Sequence, residues 1–313
     1  MNFLYSFDEN YNSQAFSSMI SLLDQVSENI NIFVIHNKEN AISDLPDRIK
    51  NHEKLNSIKF YEFKDNNYYF PNIPGTHISV ATYYRLFIEN YLNEDIDGIT
   101  YLDADTICLK DPIELLREEF TNLVKSKNVI SATTEIIKSE IEEKYINEYV
   151  MPWNRLGIKD RYFNAGVLLI SFRQWKELRY SEKLLSNLQT LKENIIYWDQ
   201  DILNSVVNGD YCELDNKFNL SDPLVQREQF EEIVFMHYSG KSKPWNTTYA
   251  FKDISKHYHK NYRKVHSTYF HIEHNGKVES LTYLIKAIVD GTFFDIEYKL
   301  RYLYEYTKSF IFK

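Results

Sequence analysis

Residues 99–111 read ITYLDADTICLKD. The stretch opens on a β-branched and aromatic run, sets Asp103 and Asp105 on either side of Ala104, and turns apolar again. Carboxylates so placed in hydrophobic surroundings each require water, a cation or several hydrogen-bond donors. The preceding run predicts a buried strand, so both side chains fall at its carboxyl end. Oxygens gathered at one such point suit a hard divalent ion, Mg2+ or Mn2+, better than a soft one.

Outward from this stretch the first half alternates. NFLYSF (2–7), NIFVIH (31–36), IKFYEF (58–63) and GITYLD (98–103) have strand character. Between them, 13–27, 41–52 and 79–92 have helical character, with Ser79 as a cap. Strand–helix alternation at this pitch predicts an α/β fold, a mostly parallel sheet flanked by helices. Open sheets of this kind bind ligands beyond the carboxyl ends of their strands. Asp8 lies at such an end after the first strand, as the acidic pair does after the fourth. Further on, NVISATTE (128–135) and NAGVLLIS (164–171) read as strands, with a polar helix around 138–149 between them. Helices follow at 180–194 and near Asp199, and IVFMHY (233–238) reads as a last strand.

From about residue 250 the character changes. FKDISKHYHKNYRKVH (251–266) carries five Lys/Arg against one Asp, and 278–313 reads as two amphipathic helices split near Gly291 and Thr292. The expected organisation is an α/β domain over 1–250 and a small basic, aromatic helical extension over 251–313. A plain packing role and a docking role both fit that extension.

Composition narrows the function classes. Of 313 residues 43% are hydrophobic and 26% charged, enough to bury a core. Thirty-six Lys/Arg against 45 Asp/Glu leave a net charge of −9, which disfavours nucleic acid. Cys108 and Cys212 lack metal or redox spacing and read as reduced thiols of a cytoplasmic protein. The start, MNFLYSFDEN, lacks the basic and long apolar regions of a secretory leader, and no run reaches the ~18 apolar residues of a membrane span.

A third candidate ligand stands in MHYSGKSKPWN: His237, at the end of the last predicted strand. An imidazole beside two carboxylates tilts the choice from Mg2+ toward Mn2+. Gly240 permits close backbone approach, and Lys243 offers a point charge for phosphate. Four segments, YLDADTICLKD, RYFNAGVLLISF, YWDQDILN and HYSGKSKPW, occur in this order. Together they resemble glycosyltransferase family 8, which includes bacterial lipopolysaccharide α-galactosyl- and α-glucosyltransferases. The resemblance runs from about Phe3 to Trp245.

That resemblance implies that 1–250 is a nucleotide-sugar-binding catalytic domain of GT-A (Rossmann-like) fold, with a UDP-galactose or UDP-glucose donor, Mn2+, and transfer with retention of anomeric configuration. It further implies a sugar acceptor on a bacterial surface glycan or glycoprotein. The extension lies beyond the resemblance; its basic run and the aromatic series Tyr298, Tyr302, Tyr306 and Phe310 leave docking of a cytoplasmic enzyme to an acceptor or to the inner face of the membrane as the alternative to plain packing. Matched by position, Asp103, Asp105 and His237 hold the metal, and Asp8 and Asn10 meet the uracil and ribose. Ala104 contributes backbone to the nucleotide site, and Gly240 with Lys243 cradles the diphosphate. Ser79, Thr82, Tyr83 and Arg85 lie on the donor-site helix, with Arg85 facing sugar and pyrophosphate. Asn164, Asp199 and Gln200 hold the hexose. Each of these also has a bland reading: Asn164 as a turn cap, Asp199 as a helix N-cap, Arg85 as a surface ion-pair partner.

The chemistry explains the acidic pair. Leaving-group charge develops on the β-phosphate, and one opposite charge at ~4 Å is worth about 4 kcal/mol at an effective dielectric near 20. Gln200 occupies the place of a retaining nucleophile, and an amide is a poor one. The expected route is therefore front-face, with Asp199 orienting the hexose and Gln200 supporting the developing charge. Two other functions would use the same carboxylates: a metal-dependent nucleotidyltransferase or UDP-sugar hydrolase, and a non-catalytic glycan- or partner-binding module.

Overall fold

The computed structural model describes residues 1–64, 68–71, 79–92, 96–135, 152–159, 161–221, 232–241 and 243–312. The helix expected around 138–149 lies outside them. Strands β1 (Asn2–Phe7), β2 (Ile30–His36), β3 (Leu55–Glu62), β4 (Gly98–Leu102), β6 (Ile130–Thr134), β7 (Phe163–Ser171) and β8 (Cys212–Glu213) form one sheet of order β3-β2-β1-β4-β7-β6-β8. Strand β7 alone runs against the rest, paired antiparallel to both β4 and β6. The expected mostly parallel, helix-flanked sheet is therefore the observed one.

Near-continuous apolar runs make β1 and β2 buried on both faces, as a sheet covered on two sides requires. One face packs Leu4, Phe33, Tyr101 and Leu168 against the helices that follow β3 and β7, among them α3 (Tyr180–Leu191) with Leu184 and Leu188. The other packs Phe3, Tyr5, Ile32, Val167 and Leu169 against α1 (Asn12–Leu23) and α2 (Ile113–Ser126). Burying one such side chain is worth roughly 1.5–3 kcal/mol, so alternating residues of each strand tie the two helical layers to one sheet.

Three local differences from the sequence reading have identifiable causes. The stretch 41–52 breaks into a 3-10 turn (Ala41–Asp44) and a single helical turn (Asp47–Lys50) on either side of Pro46, which has no N–H to continue the first. The stretch 79–92 is 3-10 from Val80 to Phe87 and α-helical only from Ile88 to Tyr91, with Ser79 accepting the Ala81 N–H as cap. The strand expected at 233–238 is β10 (Phe235–His237), which leaves the main sheet. It pairs antiparallel with β5 (Thr106–Cys108) and parallel with β9 (Leu220–Ser221) in a small three-stranded sheet.

After the small sheet, α5 (Ser255–Val265) packs along α1, and its Tyr258 and Tyr262 join Met236, Tyr238 and Trp245 in a third core cluster. Helices α6 (Lys277–Val289) and α7 (Lys299–Phe312) enclose a fourth, with Phe270, Phe293, Tyr302 and Tyr306 at its centre. Gly291, at a φ of 89°, makes the turn between them. Three of the five cations of the basic run pair with carboxylates of the chain: Lys264 with Asp24, Arg263 with Glu297 and, at the surface, Lys256 with Asp253.

Candidate active site

The acidic pair sits where β4 ends. Asp103 closes the strand by donating its N–H to the Gly166 carbonyl of antiparallel β7 at 2.8 Å, and Thr106 then donates to the Asp103 carbonyl at 3.1 Å. Chain reversal over Ala104 places Asp105 at the mouth of the small sheet, where the register pairs Thr106 with His237. His237 Nε2 thus lies 3.3 Å from Asp105 Oδ1 and 3.6 Å from Asp103 Oδ2. Ligand atoms of the three residues all fall within 4.8 Å of one another. Neighbouring ligands on one ion with bonds of ~2.1 Å stand about 3 Å apart, so the trio fits a divalent cation with only small adjustment. Two oxygens and one imidazole suit Mn2+ or Mg2+ over a thiophilic metal.

Cations already surround these carboxylates. Lys243 donates to Asp105 Oδ2 and to the Tyr238 carbonyl, the latter at 2.7 Å. Burial would raise the Asp105 pKa, but the Lys243 ammonium and His237 outweigh it and hold the carboxyl well below its ordinary range. Asp103 Oδ1 accepts from Arg85 Nη2 at 2.6 Å and from the Tyr101 hydroxyl at 2.8 Å. The Arg85 guanidinium lies 3.9 Å over the Tyr101 ring and donates from Nη1 to the Ala165 carbonyl at 2.6 Å. Its Nε stands 2.9 Å from Asp199 Oδ2 but donates instead to the Thr82 carbonyl. Arg85 is therefore buried between Asp103 and Asp199.

Asp199 lies in the first turn of α4 (Trp198–Val207), which caps on Tyr197 and not on Asp199. Trp198 takes a φ of 46°, an uncommon conformation for a bulky residue, and this backbone turn aims Asp199 inward. Its Oδ1 accepts from the Thr82 hydroxyl. Burial pushes the Asp199 pKa up to about 6, against the opposing pull of Arg85, whose single charge is shared with Asp103. Gln200 Oε1 accepts the Ala165 N–H at 3.0 Å. One turn on, Asn204 brackets Phe163, accepting its N–H at 2.9 Å and donating to its carbonyl at 3.0 Å. Helix α4 is thus pinned to the end of β7 that borders Asp103.

The remaining predicted residues are placed as follows. Asn164 is at the start of β7, its Oδ1 accepting from Gly166 N–H and Asn219 Nδ2, its Nδ2 donating to Glu135. Asp8 ends β1, accepts the Asn10 N–H at 2.9 Å and receives the Ser79 hydroxyl. Asn10 is exposed, and Ala104 is buried beside the acidic pair. Gly240, at a φ of 68°, borders open space. Tyr83 is buried in the core and donates its hydroxyl to the Pro71 carbonyl at 3.1 Å. Sequence reasoning missed Asn219, Asn204, Glu135 and Tyr11. The Tyr11 ring meets Trp245 edge-on at 6.4 Å, and its hydroxyl pKa is raised by burial and by Asp105, Glu273, Asp103 and Asp8. Its signal was an aromatic three residues after a strand-end aspartate.

The family model described as glycosyl transferase family 8 matches residues 2–249. The chain belongs to this family. It is 29% identical to a lipopolysaccharide 1,2-glucosyltransferase of Escherichia coli, covering 96% of this chain and 90% of that protein. It is 30% identical to a lipopolysaccharide 1,3-galactosyltransferase of Salmonella typhimurium over 58% of this chain and 54% of that one. In structure it resembles the galactosyltransferase LgtC, solved with donor and acceptor sugar analogues, at a TM-score of 0.68 and 20% identity, covering 86% of this chain and 97% of that one. The family 8 fold is thus a glycosyltransferase fold of the GT-A kind, and the chain is a glycosyltransferase. Among the described residues no helix is long and apolar enough to cross a membrane.

Proposed function

We propose that this family 8 member is a Mn2+-dependent, retaining hexosyltransferase. It moves galactose or glucose from a UDP-sugar to a sugar acceptor of a bacterial surface glycan or glycoprotein. The observation that carries this reading is the meeting of Asp103, Asp105 and His237 beside Lys243 at the strand ends, next to the buried Arg85–Asp199 pair. The family resemblance and the glucosyl- and galactosyltransferase relatives support the choice of hexose.

Asp103, Asp105 and His237 would hold the cation, which would stabilise negative charge on the departing diphosphate. Lys243, held at the site by its pair with Asp105, would donate to a phosphate oxygen, and Gly240 leaves room for the diphosphate to approach the backbone. Asp8 and Asn10 hold the ribose and uracil at the end of β1, with Ala104 lining the nucleotide site and Tyr11 offering a ring face to the base. Arg85 neutralises Asp103 and Asp199, and Asp199 with Asn164 and Gln200 orients the hexose. Asp199 is 3% exposed and engaged by Thr82 and Arg85, a poor position for a nucleophile. Gln200 is neutral and committed to Ala165. Both features favour a front-face displacement in which the departing oxygen takes the acceptor proton.

Residues 1–250 form the catalytic part in this reading. The 251–313 extension serves acceptor or inner-membrane-surface docking, supported by the exposed apolar side chains Val278, Val289, Leu300, Tyr304 and Ile311 on α6 and α7. The test is turnover of UDP-galactose and UDP-glucose with Mn2+ or with EDTA, across glycan acceptors, with the anomer of the first product followed by NMR. Metal-stimulated transfer giving an α-linked product from the α-linked donor is expected. Metal-independent turnover, an inverted anomer, or release of free hexose with every acceptor would overturn the reading.

A further inference from the structure

We propose that Gly166, Asn164 and Asn219 form a relay that presets His237 as a metal ligand, fixing both the place of its ring and the nitrogen that carries its proton. This deepens the metal-site reading above and rests on it. Asn164 and Gly166 are two apart on β7 and so share one face of the strand. Against that face lies the His237 imidazole. A Cβ built on Gly166 would fall 2.8 Å from Nε2 and closer still to Nδ1 and Cε1. The ring therefore lies flat on the strand backbone, in space that only glycine leaves.

The proton's place follows from groups of fixed polarity. The Gly166 N–H can only donate, and Asn164 Oδ1 accepts it at 2.9 Å. That turns Asn164 Nδ2 toward Glu135 Oε2, 2.7 Å away, an oxygen that accepts when ionised. Asn164 Oδ1 also faces the Asn219 amide at 2.9 Å, so Asn219 must present its Nδ2 there. Asn219 Oδ1 is then the atom 2.8 Å from His237 Nδ1, and Nδ1 must donate. In the neutral ring Nε2 is left as a lone pair facing the oxygens of Asp103 and Asp105. Three acceptors so opposed are satisfied when a cation lies between them. A backbone N–H on β7 thereby selects, through two amides, which imidazole nitrogen meets the metal.

Asn164, Asn219 and Gly166 are thus positioning residues that act through His237. Partners of this kind, which orient a ligating histidine, are worth roughly 10–100-fold in metal affinity. The experiment uses the full chain with Mn2+ alone as the titrant in calorimetry. Long-range 15N histidine NMR of the metal-free protein, read at a pH where the His237 ring is neutral, supplies a second readout, with the His237 signal assigned by its loss in His237→Asn. Wild type should show the Nδ1–H tautomer. Asn219→Leu, of similar size but without an acceptor, should lose that tautomer and weaken Mn2+ by roughly 10–100-fold. Asn219→Asp, which keeps an acceptor for Nδ1–H but sets a carboxylate oxygen against Asn164 Oδ1, should retain the tautomer. Gly166→Ala should bind Mn2+ no better than His237→Asn. Wild-type Mn2+ affinity and an unchanged His237 signal in Asn219→Leu would overturn the relay, as would loss of the Nδ1–H tautomer in Asn219→Asp. Should wild type itself not bind Mn2+, the metal reading fails on its own, and the NMR signals still decide whether the relay sets the tautomer.

Discussion

Replacing Asp199 by asparagine should remove activity and, at neutral pH, relieve a cost to the fold. The folded-state pKa of Asp199 is raised from 3.8 to about 6 because the carboxyl is buried and one guanidinium serves two carboxylates. An acid with a raised folded pKa destabilises once it must ionise. Below pH ~4 both states are protonated and there is no cost; between ~4 and ~6 stability falls as pH rises; above ~6 the full cost is present. A shift of about 2 units corresponds to about 3 kcal/mol at pH 7.5 and about 1 kcal/mol at pH 4.5. Asparagine does not titrate, so its difference from the protonated acid is a pH-independent offset that cancels, and the pairing of the ionised form with Arg85 is already contained in the folded pKa. Urea unfolding of wild type and Asp199→Asn should therefore show the variant gaining about 2 kcal/mol relative to wild type from pH 4.5 to 7.5. A stability difference independent of pH would refute the reasoning, because Asp199 would then ionise in the fold as readily as outside it.

Lys243→Met should tighten Mn2+ binding in the absence of nucleotide by about tenfold, since an ammonium leaves a cation site, while weakening UDP binding by a similar factor. Calorimetry with each titrant checks this, and parallel loss of both would refute it. Asp103→Asn, Asp105→Asn and His237→Ala should each cut Mn2+-stimulated kcat by ~10^2–10^3 without loss of helical circular dichroism; retention of wild-type kcat in any of them removes it from the site. Arg155→Leu should destabilise the fold by about 3–5 kcal/mol, since it strips a fully buried Asp201 of two hydrogen bonds of 2.8 Å. A urea midpoint near that of wild type would show that the Tyr162 hydroxyl and the Ile196 and Tyr197 N–H groups satisfy Asp201 alone.

Much of this architecture is written locally. The two-sided apolar runs of β1, β2 and β4 announce a covered sheet, and Asp8 and Asp103 mark its ligand-binding edge because each ends such a run. Hydrophobic spacing likewise shows α6 and α7 and the glycine between them. What local pattern does not carry is pairing. That β10 leaves the main sheet depends on Thr106–Cys108 being free to pair with Phe235–His237, a contact across more than a hundred residues. Asn219 and Glu135 looked like ordinary polar residues because their roles exist only once β7, β9 and β6 lie side by side. For Arg85, expected to face sugar and pyrophosphate, the fold adds a place between two carboxylates, Asp103 and Asp199, which no helical periodicity discloses.

The register of β5 against β10 is what the candidate metal site depends on most. Slipping that pair by one residue would turn His237 to the opposite face and separate it from Asp105. Two cores oppose the slip from opposite sides. Cys108 and Phe235 bury into the cluster beneath the main sheet, while the pair next to them, Ile107 and Met236, bury into the cluster shared with α5. A one-residue shift would drive each pair toward the wrong core, exposing large apolar side chains worth roughly 1.5–3 kcal/mol each. The position of one imidazole is thus specified by packing on both faces of a three-residue strand, and α5, far along the chain, contributes to it through Tyr258 and Tyr262. Loosening that helix should weaken the metal site before it unfolds the sheet.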